Sequence, residues 1–291
     1  MKEKELKQDL SDLGERPGSV FVIRLLMGKP CDMPNRDNMI EIMNKHLENV
    51  ECMHYDKKVV DFVSKKYLIK NEKEIDLPVH LLISECVEIN EPIMDDIAKT
   101  QLWDVENGID ILDSCNYQVV ATDFLADFLN YKDRANMLVE YIEALVELYP
   151  TCKAVVFDTS KKMLKREDIV NCKISKEHRF IHYAVNMRYF NITGTNDMLV
   201  DTLGMSTLFM PDLQYHFHAI NPDQIINHAY SFLKYIFDND NPIKNGDTID
   251  GLKNKDSNNI TKWKLQYEDS LIQPIREVID VNTLEYASGN R

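Results

Sequence analysis

The stretch Asp212-Leu213-Gln214-Tyr215-His216-Phe217-His218 alternates polar and apolar side chains, runs on to Ile220, and gives way to Asn221-Pro222-Asp223-Gln224 and an apolar-periodic run ending at Asp238. Strict alternation sends Leu213, Tyr215 and Phe217 to one face of a strand and Gln214, His216 and His218 to the other. Asn221 is a good helix cap, Pro222 fits the first helical position, and Gln224 stands where a capping box wants Glu or Gln. Ile225, Ile226, Ala229, Phe232, Leu233 and Ile236 then mark one apolar stripe. The segment therefore predicts a strand over 212–220 running into a helix over 222–238.

Working outward, the same strand-then-helix order recurs over Ser19 to Met27 with Arg36 to Glu48, Val79 to Ile89 with Glu91 to Trp103, and Asn116 to Leu125 with Arg134 to Tyr149. Further strands are expected over Glu51 to Tyr55, Lys153 to Asp158, Arg179 to Ile192, Met198 to Leu203, Trp263 to Glu268 and Arg276 to Val281. Many neighbours are too close for parallel crossovers, so hairpins must be frequent. An α+β fold follows, with mixed, largely antiparallel sheets and helices packed on one face. The stretches Ser19 to Asp56 and Asn116 to Asp158 match in scale, as duplicated ferredoxin-like halves would. Residues 1–18 read as a charged lead-in, and 19–291 as one large unit that can divide into subdomains 19–110 and 111–291. Lys57 to Asp76, Ser160 to Ser175 and Ile243 to Thr261 read as irregular.

At 291 residues, 44% hydrophobic and 28% charged, the composition is that of an ordinary soluble protein. No apolar run approaches the roughly 20 residues needed to cross a bilayer, and the lead-in lacks the apolar core of a signal peptide. The six cysteines include no C-x-x-C pair and no zinc spacing, which points to free thiols in a reducing cytoplasm. A net charge of −14 repels a phosphate backbone, so neither nucleic acid nor membrane is an expected partner. The same charge suits a basic protein partner.

Chemical signatures are sparse. Neither phosphate-binding glycine motif, G-x-S-x-G nor H-E-x-x-H occurs, which removes the commonest nucleotide and hydrolase signals. Polar blocks instead gather at the expected element ends of the last third, and their candidate cluster comprises Arg188, Asp201, Asp212, Gln214, His216, His218, Asp247 and Glu268. Arg188 lies inside an apolar strand and must be paired or reach solvent, with Asp201, Asp212 or Glu268 as partner. His216 and His218, converging from one strand face, form a weak H-x-H metal pair if a carboxylate joins them. The run Gly246-Asp247-Thr248-Ile249-Asp250-Gly251 reads as a bend with positive φ at both glycines, too poor in oxygen ligands for calcium. Trp103 and Trp263 read as core or cap residues.

The blocks Asp201-Thr202-Leu203-Gly204, Leu208 to Phe217, Asn221-Pro222, Tyr235-Ile236-Phe237, Gly246 to Gly251 and Gln266 to Leu271, with Arg276 to Val281, resemble in order and spacing a bacterial family of uncharacterised proteins. That family is the domain of unknown function numbered four-two-six-one, and the resemblance extends more loosely upstream to Phe21. It implies no activity, no cofactor and no catalytic residue; the neighbourhood of secretion and toxin systems in which such proteins occur implies an immunity-like or accessory role. The sequence expectation is a non-enzymatic cytoplasmic interaction protein that presents an acidic surface to a protein partner. Two alternatives stay open: a hydrolase, metal-dependent or not, built on His216 and His218 with nearby carboxylates, and a ligand-sensing or scaffold domain.

Overall fold

Val22–Met27 forms β1, whose residues Ile23, Leu25, Leu26 and Met27 are all fully buried. A strand buried this deeply belongs in the middle of a covered sheet, and its one charge, Arg24, is paired with Asp158 at 2.6 Å. The computed structural model describes residues 20–70, 76–253 and 260–289, so the charged lead-in lies outside the described residues. These residues form two compact units that divide between Ala184 and Val185.

In the first unit β1 is followed by α1 (Arg36–Leu47), β2 (Val50–Tyr55), β3 (Val59–Lys70), β4 (Asp76–Glu88), α2 (Asp96–Thr100) and α3 (Gly108–Asp113). Then come β5 (Tyr117–Phe124), α4 (Tyr131–Leu148), β6 (Cys152–Phe157), β7 (Lys162–Lys165), α5 (Arg166–Val170) and α6 (Arg179–Ala184). The strands make one seven-stranded sheet in the order β2-β3-β4-β5-β1-β6-β7, antiparallel at every pairing. Because β5 pairs with both β1 and β4, a boundary at residue 110 would cut this sheet. That is why the division falls at 184 and not between 110 and 111. Nor are Ser19 to Asp56 and Asn116 to Asp158 equivalent halves: β6 lies beside β1, whereas β2 sits at the far edge behind β3 and β4.

α4 carries the central load of this unit. Its Tyr141 hydroxyl donates to the Leu82 carbonyl at 2.8 Å, and its Arg134 pairs with Asp123 of β5 at 3.2 Å with both side chains 1% exposed. Leu26, Ala154 and Val156 point to the opposite face, where Met94, Ala98, Leu102 and Val105 cover them. The sheet of this unit is thus covered on both faces near β1 and β6, and not by helices on one face alone.

Four stretches of this unit depart from the sequence expectation. Lys57 to Asp76 contains β3, whose Val60, Phe62, Tyr67 and Ile69 are buried; Lys65, Lys66 and a register shift between Ser64 and Leu68 hid the alternation. Ser160 to Ser175 contains β7 and α5. Arg179 to Ala184 is helical, because a short apolar run suits a buried helix turn as well as a buried strand. Glu91 to Trp103 supports only the brief α2, and Trp103 is 49% exposed, not core.

The second unit contains β8 (Asn186–Asn191), β9 (Met198–Leu203), β10 (Asp212–Phe217), α7 (Pro222–Asp238), β11 (Thr248–Lys253), β12 (Ile260–Asp269) and β13 (Glu277–Asn282). Its sheet runs β11-β12-β13-β10-β9-β8 and is antiparallel except for the parallel pair β10 and β13. Asn221 caps α7 by accepting from the Asp223 amide at 2.8 Å, and Ile225, Ala229, Phe232, Leu233 and Ile236 are buried as the stripe requires. Tyr215 faces this helix: its hydroxyl lies 2.9 Å from His228 Nδ1, while His228 Nε2 lies 2.8 Å from the Asp250 carbonyl. A neutral His228 satisfies both contacts, with Nε2–H donating and Nδ1 accepting, and burial holds its pKa below the ordinary value.

β11 and the start of β12 occupy part of the stretch Ile243 to Thr261, of which residues 254–259 lie outside the described residues. Gly246 has φ +89°, as a bend requires, but Gly251 is needed for a different reason. A Cβ at Gly251 would stand 2.5 Å from Cε2 of the Trp263 indole, which is 2% exposed and cannot yield easily. Gly251→Ala is therefore expected to lower stability by about 1–3 kcal/mol, read from urea unfolding, and to alter the near-ultraviolet dichroism of Trp263. A wild-type unfolding curve would contradict this packing account.

Candidate functional site

Antiparallel and parallel registers place Arg188, Asp201, Gln214, Asp280 and Gln266 as successive neighbours across β8, β9, β10, β13 and β12. All share the face opposite to Tyr215, since side chains alternate along each strand. One polar row thus crosses the sheet, with α7 on the other side.

At one end of the row, Arg188 Nε donates to Asp201 Oδ1 at 2.8 Å and Arg188 Nη1 donates to the Gln273 carbonyl at 2.7 Å. Arg276 completes the cluster. Its Nη2 donates to Asp201 Oδ2 at 2.7 Å and its Nε to Asp212 Oδ2 at 3.1 Å, while the carbonyls of Thr202, Ile272 and Pro274 take its remaining protons. Asp212 Oδ1 also accepts from the Thr202 hydroxyl at 2.9 Å and the Met205 amide at 3.2 Å. Asp201 and Asp212 are 0% exposed and Arg276 is 2% exposed. Two carboxylates and two guanidiniums at this depth are tolerable only because each is paired and hydrogen-bonded. Burial works against the Arg276 cation, but Asp201 and Asp212 outweigh it and hold the pKa above its ordinary value. Burial also pushes the Asp212 carboxyl above the usual carboxylate range, against the pull of Arg276 and Thr202.

Toward the middle of the row, Gln214 Nε2 donates to Glu268 Oε1 at 2.9 Å and to Asp280 Oδ1 at 3.3 Å, and its carbonyl accepts from the Leu271 amide at 2.7 Å. His216 Nδ1 lies 2.5 Å from the Ser288 carbonyl, and Nε2 lies 3.1 Å from Asp280 Oδ1. Residues 270–276 and the segment reaching Ser288 thus supply backbone partners to the polar face.

Of the predicted candidates, the structure joins Asp201 and Asp212 through Arg276, with Arg188 on Asp201, and Gln214 and His216 through Asp280, with Glu268 on Gln214. His218, one residue past β10, is held apart from this cluster: its amide donates to the Tyr286 carbonyl at 2.8 Å and its ring lies 6.5 Å from that of Tyr286. Asp247 is also apart: exposed, it accepts from the Lys244 amide at 2.8 Å in the turn before β11. Among the described residues, no group of three or more His, Cys, Asp and Glu side chains is placed to hold a metal ion. Arg276 and Asp280 went unselected in the sequence, although each carries the signal that singled out Arg188, a charge in or beside an apolar strand.

Chemically, the cluster is a charge-compensated lock between strands. Its donors and acceptors face one another, and Arg188, Asp201, Asp212, Arg276 and Asp280 are each less than a tenth exposed. No curated protein and no solved structure matches the chain. A family model does match, over residues 201–282, and these limits run from the aspartate shared by both arginines to the last residue of β13. Within them lie Asp201, Asp212, Gln214, His216, Glu268, Arg276 and Asp280; β8 with Arg188 and the looser resemblance upstream to Phe21 fall outside. Residues 201–282 of this chain are similar to the family described as Domain of unknown function (DUF4261).

Proposed function

We propose that this protein works by binding a basic protein partner through an acidic, apolar-centred face on its first unit. The observation that carries the reading is the connection between β4 and β5. Together with Glu85 and Glu88 at the end of β4, it holds Glu91, Asp95, Asp96, Asp104, Glu106, Asp110 and Asp113 against the single cation Lys99. Amid these charges Trp103 is 49% and Ile109 42% exposed. Leu102, Val105 and Gly108 line a groove with them. Large apolar side chains ringed by charge are costly to leave in water, and aromatic residues at the centre of a polar rim are the usual anchors of protein interfaces. The Trp103 indole offers a face to a guanidinium, and the surrounding carboxylates favour fast capture of a positive surface. Asp104 and Glu106 are partly offset by Lys162 and Lys165 at 2.9 and 3.4 Å, which leaves the helix of Asp110 and Asp113 as the more negative side. The buried lock of the second unit supports the same reading from the other direction, since its groups are already occupied with one another. An immunity-like or accessory role, as the family resemblance implies, is one form such binding takes.

The test compares capture from native lysate by the wild type and by Trp103→Ala combined with Ile109→Ser, both exposed positions. The expected result is a basic protein held by the wild type, released between about 50 and 500 mM salt, and lost from the double variant. Identical capture by both proteins, or retention indifferent to salt, would overturn the proposal.

A further inference from the structure

We infer that a cavity of about 320 Å³ in the first unit, between α1, α4, α5 and α6, is a binding site for a small monocarboxylate with a short apolar chain. It rests on observations separate from the acidic face. Val146, Ile169 and Val170 form an apolar wall, and Arg166, Arg179, Glu143 and Glu147 stand around it. What recognises a ligand is the hydrogen-bonding capacity left over. Glu143 is already engaged by Arg179 at 2.6 Å and the Tyr183 hydroxyl at 3.2 Å, and Glu147 by Lys45 at 2.6 Å and His46 at 2.7 Å. Arg166 is different. Its Nε donates to the Val146 carbonyl at 3.0 Å, which fixes the plane of the guanidinium, but among the described residues it has no carboxylate partner. The Nη groups of Arg166 remain as a fork that matches a carboxylate.

The class of ligand follows from charge and size. One guanidinium without a carboxylate partner suits a single negative charge, whereas a doubly charged phosphate would have to sit beside Glu143 and Glu147, and among the described lining residues Arg179 and His46 are already engaged by those two carboxylates. The volume is near the lower limit of small-molecule pockets, roughly 300 Å³, so a nucleotide is too large. The chain as a whole is strongly negative at −14; an anion is therefore not concentrated on this surface by the general field, and its binding has to be local to the fork. At Arg166 the contact distance is shorter than the screening length of about 8 Å at physiological salt, so the local pair prevails. Cys172 also lines the cavity and is partly exposed, which makes it a reporter of occupancy.

The experiment uses the full chain and hexanoate as probe, with hexanol, hexylamine and inorganic phosphate as comparison ligands. Binding is followed by calorimetry and by mass-spectrometric alkylation of Cys172. Hexanoate is expected to bind at least tenfold more tightly than the other three and to slow alkylation of Cys172 at least fivefold. Arg166→Gln is expected to weaken hexanoate at least tenfold, and Arg166→Lys, which keeps the charge and loses the fork, by an intermediate factor. Thermal melts of both variants establish that they are folded; should Arg166→Gln fail to fold, the Arg166→Lys series and the wild-type ligand comparison still decide the matter. Hexanol or phosphate binding as tightly as hexanoate, or Cys172 alkylation unaffected by saturating hexanoate, would overturn the inference.

Discussion

Arg276→Met is expected to cost the second unit about 3–5 kcal/mol, because it leaves the carboxylates of Asp201 and Asp212 buried without the guanidinium that bridges them. Against a typical domain stability of about 5–15 kcal/mol, that is a large fraction, equivalent to a fall of roughly 10–20 °C in Tm. Methionine keeps much of the arginine's length and apolar contact, so the loss reports on charge and hydrogen bonding more than on a cavity. The exposed Lys264→Met, in the same sheet, should stay within about 0.5 kcal/mol of the wild type. The pH dependence gives a second, independent signature. Burial already holds the folded-state pKa of Asp212 above the ordinary value, and Arg276 is what restrains it. Removing Arg276 raises the pKa further, so the folded variant binds more protons than the unfolded chain between the ordinary aspartate range, about pH 4, and neutrality. Stability then falls as pH rises through that window, and the deficit relative to wild type shrinks in acid. A melting temperature within about 3 °C of wild type at pH 7, or a deficit that grows toward acid pH, would show that the lock is not what holds this sheet.

Arg134→Met is the corresponding experiment in the first unit, and its expected cost is also about 3–5 kcal/mol. Asp123 accepts from the Phe21 amide at 2.8 Å and from Arg134 Nη2 at 3.2 Å. Burial pushes its pKa up, with Arg134 as the leading counterweight. Adding Asp123→Asn to Arg134→Met removes the stranded charge while keeping an acceptor for the Phe21 amide, and should recover about 1–2 kcal/mol. Hydrogen exchange resolved by segment is the informative measurement, because protection should fall first in β1, β5 and α4, which this pair joins. No recovery in the double variant would mean that Arg134 contributes packing and not charge compensation.

These locks also explain which parts of the molecule could be read in the chain. α7 was legible to the residue, since Asn221, Pro222 and a clean apolar stripe all act locally. Arg188 was legible for the same reason that it is now explained: a charge inside an apolar strand must find a partner, and Asp201 was among those named. Which partner, and through what intermediary, was not. Arg276 is separated by 75 residues from Asp201 and by 64 from Asp212, and nothing local to any of the three shows that they meet. His216 is a similar case: its partners, the Asp280 carboxylate and the Ser288 carbonyl, come from distant parts of the chain that no local run discloses. β3 was missed because its lysines are solvent-facing members of a strand buried along one side, so their charge mimicked a loop.

By itself the sequence determined the element types wherever periodicity and capping act within a few residues. It also determined the α+β class, and the polar face of the strand that carries Gln214 and His216, because period-two alternation and the cost of burying charge are properties of neighbouring residues. Only the tertiary structure decided which charges neutralise one another, where the two units divide, that Trp103 lies outside and Trp263 inside, and that Arg166 is left with an open guanidinium fork. Each of those depends on strand order and on contacts between residues far apart in the chain, and these are fixed by the packing of whole sheets and helices rather than by any local run.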